Sequence, residues 1–298
     1  MNEYLQAIIL GVVEGLTEFL PVSSTGHMIL VQPMIGVDPL QPTWKTMLWV
    51  SQLGAILAVV LYFWGDLWKQ TFGVPLTDVR RNLLAKLVVA MVPTIGIALL
   101  VKDYAEQYLE NPPAVGVALI VGAFAILLVD RFFRRDVEGE VADITLKQAF
   151  LIGVIQCVSM WSGISRSGAT IMGGMALGLS PRVATQFSFY LAIPTMLAAG
   201  AKTLLDERKN LSNDGAAVVL AGTATAFVTA LIVVATFLGY VRKHKFTVFA
   251  VYRVLLGAAV LTWYWSPTGR TTAPPANTIS TAASATTQSA SSHASDRE

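Results

Sequence analysis

The chain has 298 residues, 54% of them hydrophobic and only 13% charged, with a mean hydropathy of +0.59. Soluble domains carry about 25% charged residues, so a water-soluble globular protein is excluded and a polytopic all-α membrane protein is expected. A net charge of +2 gives no ground for nucleic acid as a partner. Cys157 is the sole cysteine, which excludes an internal disulfide and a cysteine-built metal site and leaves it as a small apolar residue. The N-terminus has no basic segment leading to a small-residue cleavage site, so no cleaved signal peptide is expected.

Tyr4–Ile35 is apolar at both ends but interrupted by Glu14, Glu18, Pro21, the run Ser23-Ser24-Thr25-Gly26 and His27. It reads as two short helices joined at a broken tip, a re-entrant hairpin. Three spans of about 20 apolar residues follow, near Met47–Trp64, Leu83–Val101 and Pro113–Val129. A second interrupted region, Ala149–Leu179, is broken by Trp161-Ser162-Gly163-Ile164-Ser165-Arg166-Ser167-Gly168-Ala169-Thr170 and reads as a second hairpin. Spans near Ala184–Leu204, Gly215–Tyr240 and Phe246–Trp265 complete the set of six. One membrane domain over residues 1–265 is expected, with a Ser/Thr/Ala-rich tail, 266–298, that cannot bury enough surface to order itself.

Alternating the loops collects Lys69, Arg80, Arg81, Lys86, Arg131, Arg134, Arg135, Lys147, Arg182, Arg242, Lys243 and Lys245 on one side. The other side receives Lys45, Lys102, Lys202, Arg208, Lys209, Arg270 and Arg297. The positive-inside rule makes the first side cytoplasmic and puts both termini on the opposite one.

The two hairpins align at a constant offset of 142: Ala7 with Ala149, Gly11 with Gly153, Val12 with Val154, Ser23 with Ser165 and Gly26 with Gly168. Glu14 falls on Gln156, Ser24 on Arg166 and Thr25 on Ser167. Each half (about 4–130 and 148–265) is then one hairpin plus three spans. Three is odd, so the second half enters from the opposite face: an inverted-topology repeat with its site where the interrupted helices meet.

Ionisable groups at membrane depth mark function. Glu14 and Glu18 are four apart and share a helix face, where two carboxylates repel. A hard cation, Mg²⁺ or Ca²⁺, a shared proton, or pairing with Arg166 would relieve this. A purely structural pair facing a wet crevice is the plainer alternative. Ser23, Ser24 and Thr25 read first as caps of the helix that follows, whose N–H groups also suit an anion. Ser24 becomes a nucleophile if a base is within reach, and His27 is the candidate; packed into the protein, His27 would be only a satisfied side chain. Arg166 suits bidentate phosphate contacts, or pairs structurally with Glu14 or Glu18. Ser165, Ser167 and Thr170 add hydroxyls. Arg253, beside Tyr252 in the last span, is read as structural or snorkelling. The set fits phosphoryl chemistry, or transport, of a lipid-linked phosphate.

The run Glu14-Gly15-Leu16-Thr17-Glu18-Phe19-Leu20-Pro21-Val22-Ser23-Ser24-Thr25-Gly26-His27, with Gly163-Ile164-Ser165-Arg166-Ser167-Gly168, resembles the bacterial undecaprenyl-diphosphate phosphatases, the bacitracin-resistance type of integral membrane enzyme. The likeness covers roughly Asn2–Trp265. It implies hydrolysis of a C55 polyprenyl diphosphate to the monophosphate and inorganic phosphate, which recycles the carrier for peptidoglycan, in the bacterial cytoplasmic membrane. It implies a divalent metal at Glu14 and Glu18, Ser24 and His27 as the nucleophile–base pair, with the attacking group (Ser24, His27 or water) left open, and Ser23, Thr25, Ser165, Arg166, Ser167 and Thr170 around the diphosphate. One departure is Ser162, where the family usually has Pro before its first Gly, which predicts a looser turn. Flipping of the product by the same protein, the pure-carrier reading, and a homodimer all stay open.

Overall fold

The computed structural model describes residues 1–39, 41–109, 111–135, 139–207 and 212–266. The expected disordered tail, from residue 267 onward, lies outside the described residues, as do Arg208, Lys209, Arg270 and Arg297 of the loop tally. The described residues form eleven α-helices and two 3-10 turns, with no strand among them.

The first interrupted region is α1 (Glu3–Thr17) and α2 (Ser24–Met34), separated by a break at residues 18–23. Next come α3 (Pro42–Tyr62), the short α4 (Trp64–Thr71), α5 (Leu83–Tyr108) and α6 (Pro112–Phe132). The second interrupted region is α7 (Leu146–Gln156), a 3-10 turn at Cys157–Met160, and α8 (Arg166–Ala176). The chain finishes with α9 (Pro181–Glu207), α10 (Asn213–Lys243) and α11 (Thr247–Trp265). Local chemistry sets several of these ends. Asn111 caps α6 by accepting from Ala114 N–H, with Pro112 and Pro113 in the first turn; Ser212 caps α10 in the same way through Gly215 N–H.

Five helices are long and apolar enough to cross a membrane, namely α3, α5 over Leu83–Val101, α6, α10 and α11, so the chain is a multi-pass membrane protein. The sixth expected span, α9, is 27 residues long but falls outside that set. It carries Thr185, Gln186, Ser188 and Thr195, and Thr185 and Ser188 are fully buried against neighbouring helices rather than offered to lipid.

Small residues let the helices approach. α10 lies against α1 and α3, α11 against α6, and α7 against α5. At the α1–α10 crossing Gly11 faces Gly222, and Gly15 faces Ala226. Lipid tails are as apolar as leucine, so close van der Waals contact, not water exclusion, drives such pairing. An aromatic core fills the centre: Phe63 meets Tyr190 edge-on at 5.2 Å, and Phe189 meets Phe19 edge-on at 5.2 Å, directly behind the first break. Near one end, the Asp130 carboxylate accepts from Phe246 N–H (2.9 Å) and pairs with Arg134 (3.2 Å), tying α6 to the start of α11.

A Cβ added at Gly15 would lie 2.6 Å from Ala226 O and 2.7 Å from Thr229 Cβ. Gly15→Val should therefore force α1 off α10, cost about 1–3 kcal/mol, and lower the melting temperature of the detergent-solubilised protein; an unchanged melting temperature would contradict the packing described.

Candidate active site

The two breaks have the same local structure. Ser23 has φ 70° and ψ 101°, and Ser165 has φ 75° and ψ 115°; they are the only non-glycine residues at positive φ among the described residues. Each is the N-cap of the helix that follows. Ser23 Oγ accepts from Gly26 N–H (3.4 Å) and Ser165 Oγ accepts from Gly168 N–H (3.1 Å). A side-chain-bearing residue in that region costs on the order of 1–3 kcal/mol and persists where surrounding structure over-determines it. The breaks also touch: Ser167 Oγ donates to Leu20 O (2.9 Å) and lies 3.0 Å from Ser165 Oγ. The turn that holds Ser162 is closed by neighbouring contacts. Ile164 N–H closes onto Trp161 O (3.1 Å), and the Trp161 indole donates to Ala114 O (3.0 Å).

Between the breaks, Arg166 Nη2 donates to Glu18 Oε1 at 2.8 Å, and Ser24 Oγ donates to Glu18 Oε2 at 2.7 Å. Glu18 thus uses one oxygen for the guanidinium and one for the hydroxyl. The Arg166 and Glu18 side chains keep 15% and 10% of their surface, and Ser24 is half-buried, so the cluster is reachable from outside. Arg166 also donates to Ser188 O (3.4 Å) and lies 6.0 Å from the centre of the Phe19 ring. Thr170 Oγ1 donates to Arg166 O (2.9 Å) and contacts Ser188 Oγ, bracing the first turn of α8. Thr25 is exposed at the tip.

Glu14 is fully buried one turn before Glu18, and neither of its carboxylate oxygens has a hydrogen-bond donor. A buried, unpartnered carboxylate is costly, so the Glu14–Glu18 pair calls for a proton or a cation. Gln156, the counterpart of Glu14 in the second hairpin, is buried too and donates to Thr94 Oγ1 (3.0 Å). Among the described residues no group of three or more His, Cys, Asp or Glu side chains gathers.

His27 does not meet Ser24. Its Nδ1 lies 2.8 Å from Ser23 O, and because a carbonyl only accepts, Nδ1 carries the proton. Nε2 lies 2.6 Å from Tyr252 Oη, so in the neutral ring it accepts from the phenol; the two rings stack with centres 5.5 Å apart. The base within reach of Ser24 is Glu18.

A family model described as "Bacitracin resistance protein BacA" matches residues 7–259. The chain belongs to the BacA family. As a BacA-family protein it is 42% identical over 268 residues to an undecaprenyl-diphosphatase of Novosphingobium aromaticivorans, covering 88% of this chain and 98% of that one. It is 44% identical over 255 residues to undecaprenyl-diphosphatase 2 of Paramagnetospirillum magneticum (85% and 96% covered). It is 39% identical over 260 residues to an undecaprenyl-diphosphatase of Clostridium tetani (86% and 95%).

Two residues of the last span, noted in the sequence but not connected to the breaks there, reach them in the structure. Tyr252 is the partner of His27, and Arg253, read as structural or snorkelling, is fully buried and does not snorkel. The available signal was the charge of Arg253 inside an apolar span.

The caps give a local test. Ser165→Ala keeps the positive φ and removes the oxygen that accepts from Gly168 N–H, so it should cost about 1 kcal/mol or more. Ser165→Gly, which relieves the backbone, should cost only a few tenths. Thermal unfolding of both variants in detergent checks the order; Ala at least as stable as Gly would contradict it.

Proposed function

We propose that the protein hydrolyses undecaprenyl diphosphate to undecaprenyl phosphate and inorganic phosphate. The observation that carries this reading is the Glu18 carboxylate held between a serine hydroxyl at 2.7 Å and an arginine at 2.8 Å, where the two breaks meet. The relatives named as undecaprenyl-diphosphatases support the choice of lipid.

Phosphoryl transfer asks a protein mainly for positioning and charge stabilisation. Arg166 exchanges part of its pairing with Glu18 for the diphosphate oxygens, helped by N–H groups at the starts of α2 and α8. Glu18, thereby less neutralised, takes the Ser24 proton. Ser24 Oγ forms a bond to the terminal phosphorus as the bridging P–O bond breaks, and the lipid monophosphate leaves. Water then attacks the serine phosphate, releasing inorganic phosphate and restoring the hydroxyl. The protonated Glu18 returns its proton to Ser24 Oγ as that bond breaks, while His27, held on Ser23 O and Tyr252, supports the start of α2. Ser23, Thr25, Ser165, Ser167 and Thr170 shape and line the cradle. Mg²⁺ or Ca²⁺ suits the Glu14–Glu18 pair, because the orphaned Glu14 oxygens are hard donors; when bound it would offset diphosphate charge.

The paired Ser23 and Ser165 conformations support the inverted repeat, with α1–α2 and α7–α8 as re-entrant hairpins, α9 as a sixth crossing, and one domain over residues 1–265. With the loop cations, the reading is of a chain in the bacterial cytoplasmic membrane with both termini outside the cytoplasm. Carrier recycling for peptidoglycan and bacitracin resistance follow from the reaction. The same repeat favours an added role in flipping the product.

Purified protein in detergent should release inorganic phosphate from C55 diphosphate, more with Mg²⁺ than with chelator. Glu18→Gln should lower kcat about 10²–10⁴-fold. Tight lipid binding without phosphate release would favour the pure carrier instead. Arg166→Ala should raise KM as well as lower kcat, and unchanged turnover would exclude the assigned role of Arg166.

A further inference from the structure

Arg253 lies on α11, 0% exposed, and every hydrogen bond that its guanidinium makes goes to a backbone carbonyl. Nε donates to Leu119 O (3.1 Å) and Nη2 to Ala118 O (3.2 Å), both on α6. Nη1 donates to Pro21 O (3.3 Å), and Nη2 also donates to Gly163 O (2.9 Å). The last two acceptors are what make the residue informative. Pro21 stands three residues before Ser24, and Gly163 three residues before Arg166. They are also equivalent under the offset of 142 that pairs Ser23 with Ser165. One side chain therefore holds the same carbonyl of both breaks, on the approach to the serine of one and the arginine of the other.

A guanidinium suits this place because its donors project in a rigid planar fork. Chain breaks free carbonyls that a helix would otherwise satisfy, and at membrane depth such carbonyls need a donor. The molecule makes room for the fork. A Cβ at Gly122 on α6 would collide with Arg253 Nη2, and Gly163, at φ +102°, exposes its carbonyl in a turn where a Cβ would lie 2.6 Å from Val115 O. No carboxylate bonds Arg253, so its charge is spent on the breaks and on the field at the site, not on an ion pair.

We propose that Arg253 is a positioning residue that clamps the two breaks to each other and so sets the placement of Ser24 and Glu18 relative to Arg166. The inference rests on the phosphatase reading for its kinetic consequence and not for its structural one. Misplacing reacting groups by about 1 Å can cost on the order of 100-fold in rate. The substrate's direct contacts stay with Arg166, so the loss should fall on kcat more than on KM.

The test uses the full chain in detergent, with Arg253→Gln and Arg253→Lys beside wild type. Hydrogen–deuterium exchange followed by mass spectrometry reads the two breaks through peptides spanning 18–26 and 160–168. In Arg253→Gln both should exchange at least severalfold faster together, while peptides of α3 and α10 keep wild-type protection. Loosening of one break alone, or of neither, overturns the clamp. With C55 diphosphate, kcat of Arg253→Gln should fall about 10- to 100-fold with KM changed less than about threefold. Lysine keeps the charge but not the planar fork, so Arg253→Lys should recover less than half of wild-type kcat. Full recovery by lysine, or a wild-type kcat in folded Arg253→Gln, overturns the proposal. If Arg253→Gln does not fold, Arg253→Lys carries both readouts: coupled loosening of the breaks supports the clamp, and wild-type exchange at both overturns it. Absence of phosphate release from wild type would sink the phosphatase reading alone, because the exchange measurement needs no turnover.

Discussion

A carboxylate and a guanidinium 148 residues apart in the chain, Glu18 and Arg166, meet at 2.8 Å where two interrupted helices face each other. Either charge alone, with so little of its side chain exposed, would carry a desolvation cost of several kcal/mol, and the pair offsets it. That constraint reaches outward. The breaks must face each other, the helices around them must approach closely enough to hold them so, and the freed backbone must be satisfied. Glycines at the α1–α10 crossing meet the second demand, and the serine caps together with Arg253 meet the third.

The site is accordingly only part-neutralised. Arg166 is matched by Glu18, but Glu14 has no donor and Arg253 has no carboxylate. The site therefore keeps a carboxyl without a donor on one flank and a carbonyl-bound guanidinium on the other. On the proposed reading, an incoming diphosphate would draw on Arg166 and the helix starts, and a cation would settle with Glu14. Complete internal pairing would have made a stable but inert core. Partial pairing stores affinity for charged ligands, which is how a phosphate-handling site differs from a structural salt bridge.

Much of this was legible beforehand. The interrupted regions were plain because acids, serines, glycines and an arginine stood where only hydrocarbon belongs, and the structure breaks α1 from α2 and α7 from α8 at those motifs. The caps Ser23 and Ser165 were legible from residue type and spacing. The pairing of Ser24 with Glu18 was not. Sequence proximity favoured His27, three residues on, but a helix starting at Ser24 turns His27 back onto Ser23 O and toward α11. Tyr252 and Arg253 could be noticed in the sequence but not joined to the breaks, because they lie more than 200 positions from the first motif and nothing local to α11 says which helix it packs against.

By itself the sequence determined the class of protein, the places where helices stop and the chemical character of the site, because these follow from local hydropathy, local turn chemistry and the cost of charge in lipid. It also contained the 142-residue correspondence, since both breaks carry their own cap. Only the tertiary structure decided which acid serves Ser24, which phenol holds His27 and which arginine spans both breaks. Those partnerships depend on how helices distant in the chain pack, and packing is set by shape complementarity summed over many small contacts, which no local stretch of residues encodes.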